Sequence, residues 1–222
     1  TTILAIGIAN RTAILSISRL FERTSGKANL VVLAADSDSE GFSDTVLRRV
    51  VTNPLVDLAV PSVHIVTIVA DQLVSEELSL SLFGASTGGL LLYGIEPERD
   101  AGVREYEMTA GRFISGDPGS PEVVLVDTFA DENDLRVGDM LQVVAGRSVE
   151  SLEVVGLIAR EGPGQLNNGA FGILPLGTAQ KLFYREGKLD QIDVVAVASS
   201  ATAEGVDRLK DDLKRQLGDA VA

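Results

Sequence analysis

The sequence contains no cysteine and only one histidine, and these two scarcities exclude several kinds of chemistry. Without cysteine there is neither a disulfide framework nor a thiol nucleophile. A zinc site would need carboxylates alone beside His64, and a serine–histidine–aspartate triad would have to use this same residue. The glycine-rich stretches at 86–89 and 162–164 match neither a P-loop nor the dinucleotide-binding pattern. We therefore expect no catalytic residues, no cofactor-binding residues and no metal ligands, and interpret the protein as not an enzyme.

Positive charge is also scarce, since 19 lysines and arginines stand against 32 aspartates and glutamates, for a net charge of −13. This balance argues against nucleic acid as a partner, because nucleic-acid binding depends on basic side chains that neutralise phosphates. It also argues against docking on an anionic membrane surface through a basic patch. Apolar residues make up 45% of the 222 residues and aromatic residues only 5%. With 22 glycines, this composition favours a folded protein of strands joined by tight turns, with some helices.

The opening stretch, ILAIGIANRTAILSISRLF (3–21), is largely apolar, but polar residues interrupt it. Asn10 and Arg11 lie in its middle, and an arginine at the centre of a membrane helix costs about 2.5–3.5 kcal/mol. A signal peptide also fits poorly, because its basic first region is absent. From residue 10 onward the pattern is that of an amphipathic helix. Two interpretations stay open on pattern alone: a helix that leaves a membrane and continues against a soluble domain, or a long helix packed on a sheet.

The rest of the chain alternates strands and helices at both ends and is turn-rich in the middle. Predicted strands cover 29–36, 55–71 (one or two strands), 77–86, 88–97, 122–127, 140–145, 151–159, 169–176 and 190–199. Predicted helices cover 43–51, with Ser43 as N-cap, 177–187 and 202–218, with a short helix or turn at 128–135. The last helix carries Val206, Leu209, Leu213 and Leu217 on one stripe, and Gly218 supplies its stop. This order predicts one α+β unit that is split by a mostly β insert.

An acidic stretch, DSDSEGFSD (36–44), resembles the start of an EF-hand loop. The residues that would take its ligand and turn positions are Asp36, Asp38, Glu40, Gly41 and Asp44. The twelfth position should be a bidentate glutamate and is Leu47, and a strand precedes the loop where a helix should. Two readings stay open: an acidic surface turn that caps the next helix, and a weak calcium site.

A second stretch, VLVDTF (124–129), resembles the Asp-Thr-Gly of aspartic peptidases. Phe129 replaces the glycine, and the second copy that a paired-carboxylate site needs is absent. We interpret Asp127 as the end of a strand whose side chain caps the following turn. His64 is interpreted as a half-exposed histidine on a strand.

The run from 109 to 159 is specific as a whole, through the order and spacing of its parts. Those parts are Gly111-Arg112-Phe113, Val123-Val124-Leu125, Leu135-Arg136-Val137-Gly138-Asp139 and Val154-Val155-Gly156. The run resembles the extracytoplasmic core domain of MacB-like and FtsX-like ABC transporter permeases. Downstream, 173–183 and 190–199 are similar to that family's porter-type strand–helix–strand, and 3–18 resembles its first membrane helix. In the turn, Gly138 is expected to have a positive φ, and Asp139 to bond its own turn amides.

The resemblance implies a MacB-like periplasmic core, that is, an α+β fold with a split porter-like strand–helix–strand subdomain and an inserted mostly β subdomain. Its expected parts are a stalk helix at 1–25 that continues from a first transmembrane helix, a porter-like subdomain at 26–97 and 170–222, and a sabre-like insert at 98–169. The helix at 202–217 would be the return stalk, so that both termini lie side by side.

The function implied by the resemblance is mechanical. The domain would lie on the extracytoplasmic side of a cell membrane and transmit ATP-driven motion of membrane helices, for export, lipoprotein release or cell-wall regulation. Its implied partners are a separate ATP-binding cassette subunit, a second permease copy or homologue, and an extracytoplasmic adaptor, lipoprotein or hydrolase. The alternative that the residues leave open is a soluble calcium- or ligand-binding α+β protein.

Overall fold

The computed structural model describes residues 26–34, 41–70 and 89–218. The predicted opening helix, residues 36–40 of the acidic stretch and the predicted strand at 77–86 lie outside the described residues.

Eleven strands are present in the described parts of the chain. They are β1 Leu30–Leu33, β2 Phe42–Ser43, β3 Val56–Thr67, β4 Leu90–Ile95, β5 Met108–Gly111, β6 Glu122–Val126, β7 Met140–Ala145, β8 Ser148–Ile158, β9 Phe171–Pro175, β10 Lys188–Leu189 and β11 Gln191–Ala196. The α-helices are α1 Thr45–Val51, α2 Pro97–Asp100, α3 Asp127–Glu132, α4 Leu176–Leu182 and α5 Ala203–Leu217. This mixture of strands and helices confirms the predicted α+β class.

The chain forms two compact units, each made of discontinuous segments. Unit 1 takes its described residues from Thr1–Val63, Ile95–Glu105 and Arg185–Ala222, and unit 2 from His64–Gly94 and Tyr106–Tyr184. These bounds differ from the predicted subdomains, since 64–94 and 170–184 belong to the same unit as most of the expected insert. Strand pairing explains the difference, because β9 pairs with β6 through Val124 and Ile173. The porter-like and sabre-like roles of the two parts stay a prediction.

In unit 1, β11 lies between β1 and β3 and is antiparallel to both. Asp193 of β11 is opposite Val31 on one side and Val60 on the other. The short strands β2 and β10 pair separately. Apolar side chains fill the interior of the unit, and burying each one stabilises the fold by about 1.5–3 kcal/mol. Fully buried examples are Val50, Val60, Ile192, Val194 and Leu209.

In unit 2, the strand order is β3-β4-β9-β6-β8-β5, with β7 also pairing with β8. β6 and β8 are parallel, whereas β7–β8, β5–β8 and β6–β9 are antiparallel pairs. Strand β6 is buried along its whole length, which explains its continuous apolar run. The interior of the unit includes Leu92, Leu125, Leu152, Ile158, Phe171 and Ile173.

The residues at 55–71, predicted as one or two strands, form a single strand, Val56–Thr67, that contains Pro61. One local prediction needs correction. Helix α1 has Asp44 rather than Ser43 at its N-cap position, although the Ser43 Oγ accepts a hydrogen bond from the Thr45 N–H at 3.2 Å. The Ser43 hydroxyl therefore still accepts a hydrogen bond from the first turn of α1, although Ser43 lies one residue before the N-cap.

Candidate functional site

The first described residues, 26–29, lie in unit 1 beside the C-terminal end of β11. The Asn29 N–H donates a hydrogen bond to the Val194 carbonyl at 2.8 Å. In return, the Asn29 Oδ1 accepts one from the Ala196 N–H, also at 2.8 Å. An asparagine side chain suits this position because it replaces a ladder partner where the strand has not yet begun. Residues 26–29 are thus fixed against the strand that leads into the C-terminal helix.

The C-terminal end of α5 lies at the same edge. The Val197 N–H donates to the Leu55 carbonyl at 3.0 Å, which places the start of β3 beside the end of β11. Next to it, the Asn53 Nδ2 donates to the Gln216 Oε1 at 3.3 Å. The Gln216 Nε2 also donates to the Arg49 carbonyl at 2.8 Å, which accepts from the Thr52 N–H and hydroxyl as well, so Gln216 joins the end of α5 to the end of α1. We call this place, defined by Asn29, Asn53, Val197 and Gln216, the entry–exit edge.

Local sequence explains why α5 begins and ends where it does. Thr202 is its N-cap and accepts a hydrogen bond from the Gly205 N–H at 3.2 Å. Gly218 ends it with a φ of +71°, as predicted. The predicted apolar stripe is buried at Leu209, Leu213 and Leu217, whereas Val206 is only half-buried. The helix is therefore held to unit 1 along one face.

A buried cluster of charged and amide side chains lies in unit 1, at Gln191 and Asp193 of β11. The Arg104 Nη1 donates to the Asp100 Oδ1 at 2.5 Å, and its Nη2 donates to Asp193 of β11. The Gln191 Nε2 donates to the other oxygen of Asp193 at 2.7 Å. The side chains of Arg104, Asp100 and Asp193 are at most 1% exposed. Removing one partner of such a buried group leaves a buried charge without compensation and costs about 3–5 kcal/mol.

The electrostatics of this cluster are unbalanced, because two carboxylates share one guanidinium. Burial raises the pKa of Asp193 above its ordinary value, and the attraction of Arg104 and the hydrogen bond from Gln191 only partly oppose this. Asp100 contributes to the same upward shift through the repulsion between like charges. The cluster is thus sensitive to the charge state of one side chain on β11.

The segment 97–105, which carries Arg104, also holds the entering chain. The Val103 carbonyl accepts a hydrogen bond from the Lys27 N–H at 3.0 Å. Gly26 has a φ of +50°, and a Cβ at this position would overlap the Val103 carbonyl oxygen. Around this contact, Ala28, Val60 and Val103 pack together as a small apolar cluster. The ion pair between Lys27 and Glu105 is 3.1 Å long and exposed, so it adds little.

A second charged pair, Arg112 and Glu122, lies at the Gly111-Arg112-Phe113 turn, one of the motifs on which the resemblance depends. In unit 2, the Arg112 Nη2 and Nη1 donate to the two carboxylate oxygens of Glu122 at 2.6 and 3.1 Å. Glu122 also accepts from the Ser115 N–H at 2.8 Å. The hydrogen bonds from Arg112, assisted by that from Ser115, lower the pKa of Glu122 from 4.5 to about 2 against the opposing effect of burial. This pair fixes the loop between β5 and β6.

The other residues that the sequence singled out have structural places. The Asp127 Oδ1 accepts from the Thr128 N–H at 2.6 Å at the start of α3, which fits the predicted turn contact. His64 is half-buried and stacks on Tyr93, with ring centroids 3.9 Å apart. Gly138 has the predicted positive φ, +98°, and the Asp139 Oδ2 accepts from the Arg136 N–H at 2.8 Å. None of these contacts brings two candidate catalytic groups together.

Only the end of the acidic stretch is described. A Cβ on Gly41, whose φ is +72°, would lie against Asp190 and Arg185, and the Asp44 N–H donates to the Gly187 carbonyl at 2.9 Å. Within residues 26–34, 41–70 and 89–218, no group of three or more histidine, aspartate or glutamate side chains is placed to hold a metal ion. Asp36, Asp38 and Glu40 lie outside that part, so the weak calcium site stays an untested prediction.

Sequence reasoning missed the buried cluster and the entry–exit edge. Two signals were present: Asp193 interrupts an apolar strand, and Asp100 and Arg104 have the spacing of a helical ion pair. No local pattern in the sequence indicates that Asp100, Arg104 and Asp193 come together.

Comparison with solved structures identifies the fold. The chain superposes on the periplasmic region of MacB from Actinobacillus actinomycetemcomitans with a TM-score of 0.59 and 13% identity, covering 91% of this chain and 90% of that one. This protein has the MacB-like periplasmic fold. The extracellular domain of the noncanonic ABC-type transporter YknZ from Gram-positive bacteria gives a TM-score of 0.58 at 13% identity, with 86% and 96% coverage. No family model and no curated protein matches the sequence.

The MacB-like fold confirms the resemblance that the motifs at 109–159 suggested. In the described part of the chain, none of the helices has the length and apolar character needed to cross a bilayer.

Proposed function

We propose that this chain is the extracytoplasmic domain of an ABC transporter permease subunit. It transmits ATP-driven motion of membrane helices to a substrate or partner outside the cytoplasm. The observation that carries the proposal is the fold, which is shared over about nine-tenths of the chain with the periplasmic region of MacB. The second similar structure is the extracellular domain of an ABC-type transporter, which supports the same location.

The entry–exit edge supports a mechanical role. Residues 26–29, which follow the proposed stalk at 1–25, are joined through β11 and β3 to the end of α5, the proposed return stalk. Two stalks that reach one edge could move unit 1 together when membrane helices shift. The domain itself carries out no reaction in this proposal, and the hydrolysing subunit is a separate ATP-binding cassette protein. A second permease copy and an extracytoplasmic adaptor, lipoprotein or hydrolase are the further proposed partners.

The location can be tested with single cysteines in a permease whose segments outside these 222 residues have had any cysteine replaced, because these residues contain none. Tyr184 is 69% exposed, so Tyr184→Cys in the full permease should react with a membrane-impermeant maleimide on intact cells. Leu152→Cys, at a fully buried position, is the matched control and should react only after denaturation. Labelling of Tyr184→Cys that requires permeabilised cells would refute an extracytoplasmic location.

The mechanical role needs a second experiment on the permease with its ATP-binding subunit in proteoliposomes. The maleimide reaction rate of Gln216→Cys should differ between the nucleotide-free and the vanadate-trapped states. The same permease paired with a hydrolysis-deficient ATP-binding subunit is the control. Equal rates in all states, with transport intact, would contradict the coupling of this edge to ATP hydrolysis.

A further inference from the structure

We propose that Arg104 is a latch that locks the entering segment, residues 26–29, to β11, and thereby makes the entry–exit edge one rigid body. The proposal deepens the proposed function, because two stalks can move a domain together only if their attachment points do not separate. It concerns contacts inside unit 1 alone, so it can be tested without a membrane, a partner or ATP.

Segment 97–105 contacts the entering segment through one residue and β11 through the next. Its Val103 carbonyl accepts the Lys27 N–H, and Val103 packs against Ala28. Its next residue, Arg104, donates to Asp193 in the middle of β11. Through the adjacent residues Val103 and Arg104, segment 97–105 therefore contacts both residues 26–29 and β11.

Arg104 is itself anchored by Asp100. Asp100, four residues earlier, accepts from the Arg104 Nη1 at 2.5 Å, and the Asp100 carbonyl accepts from the Arg104 backbone N–H at 2.8 Å. Asp100 therefore binds both the guanidinium and the backbone N–H of Arg104. The Arg104 side chain is 1% exposed. A planar guanidinium that donates to two carboxylates has a fixed direction, unlike an apolar contact.

Among the described residues, segment 26–29 is otherwise held by two hydrogen bonds between Asn29 and β11 and by one ion pair of Lys27. The Lys27–Glu105 pair is exposed, at 64% and 83% of the two side chains, so water screens it. Asn29 contacts β11 directly. Loss of the latch should therefore loosen residues 26–29 before it loosens β11, which β1 and β3 both flank.

The test is hydrogen exchange of the full 222-residue chain, read residue by residue in low denaturant. In the wild-type protein the amides of Lys27, Asn29 and Arg104 should exchange through one common opening. In the charge-neutral triple variant Asp100→Asn/Arg104→Met/Asp193→Asn, Lys27 and Asn29 should lose protection by about tenfold or more, since charge-assisted hydrogen bonds are lost. Amides of β6 in unit 2 should keep their protection.

Arg208→Met is the matched control, because Arg208 also pairs with a carboxylate one turn earlier, Glu204, but on the exposed face of α5. It should leave Lys27 and Asn29 unchanged. Unchanged protection of these amides in the triple variant would overturn the latch. If the triple variant does not fold, the wild-type measurement decides: separate openings for Lys27 and Arg104 would also overturn it. Failure of the ATP-dependent experiment with this result intact would instead count against the transporter role.

Discussion

Replacing Glu122 by glutamine should destabilise the protein in a pH-dependent way. The Glu122 side chain is 10% exposed and Arg112 is 57% exposed. A fall in pKa from 4.5 to about 2 corresponds to roughly 3 kcal/mol, at about 1.4 kcal/mol per unit. Because Arg112 is more than half exposed, water screens the pair, and we expect a loss of about 1–2 kcal/mol in the free energy of unfolding at neutral pH.

The sign of the pH dependence follows from the direction of this shift. The folded-state pKa of Glu122 lies below its unfolded value, so the unfolded chain takes up the proton first as the pH falls. The stabilisation is complete above about pH 4.5 and disappears as the pH falls towards about 2. The gap between wild type and Glu122→Gln should therefore shrink to less than half at about pH 3.

Urea unfolding followed by far-ultraviolet circular dichroism at about pH 7 and about pH 3 measures both quantities. Glu132→Gln, on the exposed side of α3, is the control for removing a carboxylate from unit 2. The reasoning would be refuted if Glu122→Gln were no less stable than this control at neutral pH. An equal gap at both pH values would show that the loss is steric rather than electrostatic.

Three further variants test the fold. Gly111→Ala should cost more stability than Gly138→Ala in thermal melts, because both glycines have positive φ but only at Gly111 would a Cβ overlap the Val155 carbonyl oxygen. Leu209→Ala should lower the free energy of unfolding by about 2–5 kcal/mol in urea, because this fully buried side chain leaves a cavity under α5. Asp193→Asn should gain stability relative to wild type as the pH rises from about 4 to 7, since the folded-state pKa of Asp193 is raised and ionising this carboxyl costs the folded state more than the unfolded chain. A parallel pH dependence of the two proteins would contradict that account.

Features set by local chemistry were predictable from the sequence. The positive φ of Gly138, the contact of Asp139 with its own turn and the end of α5 at Gly218 all depend on residues within four positions of one another. Alternation and continuous apolar runs also located β6 and β7, because side-chain direction along a strand follows directly from the order of residues. The same local signals, in their order, carried the resemblance that the fold confirms.

Features set by distant pairing were not predictable. The 169–176 strand was grouped with the C-terminal helix because the two share an αβ rhythm, yet β9 pairs with β6, about 50 residues earlier. Similarly, Asp193 has no local partner for its charge, and its guanidinium comes from Arg104, 89 residues away. An amphipathic pattern predicts that one face of an element is buried, but it does not predict which other element covers that face.

The buried cluster is built from charged side chains where apolar ones would serve stability as well. Replacing a buried ion triad by apolar side chains of similar size is often neutral or stabilising by about 1–4 kcal/mol, so stability alone does not account for Arg104 between Asp100 and Asp193. Apolar attraction is non-directional, whereas these hydrogen bonds fix the orientation of segment 97–105 relative to β11. We infer that stability and rigidity are separable here. An apolar triple variant, Asp100→Leu/Arg104→Met/Asp193→Leu, should unfold at a urea concentration close to wild type, while its entering segment exchanges faster. An equal loss of global stability and of exchange protection in residues 26–29 would show that the cluster contributes stability alone.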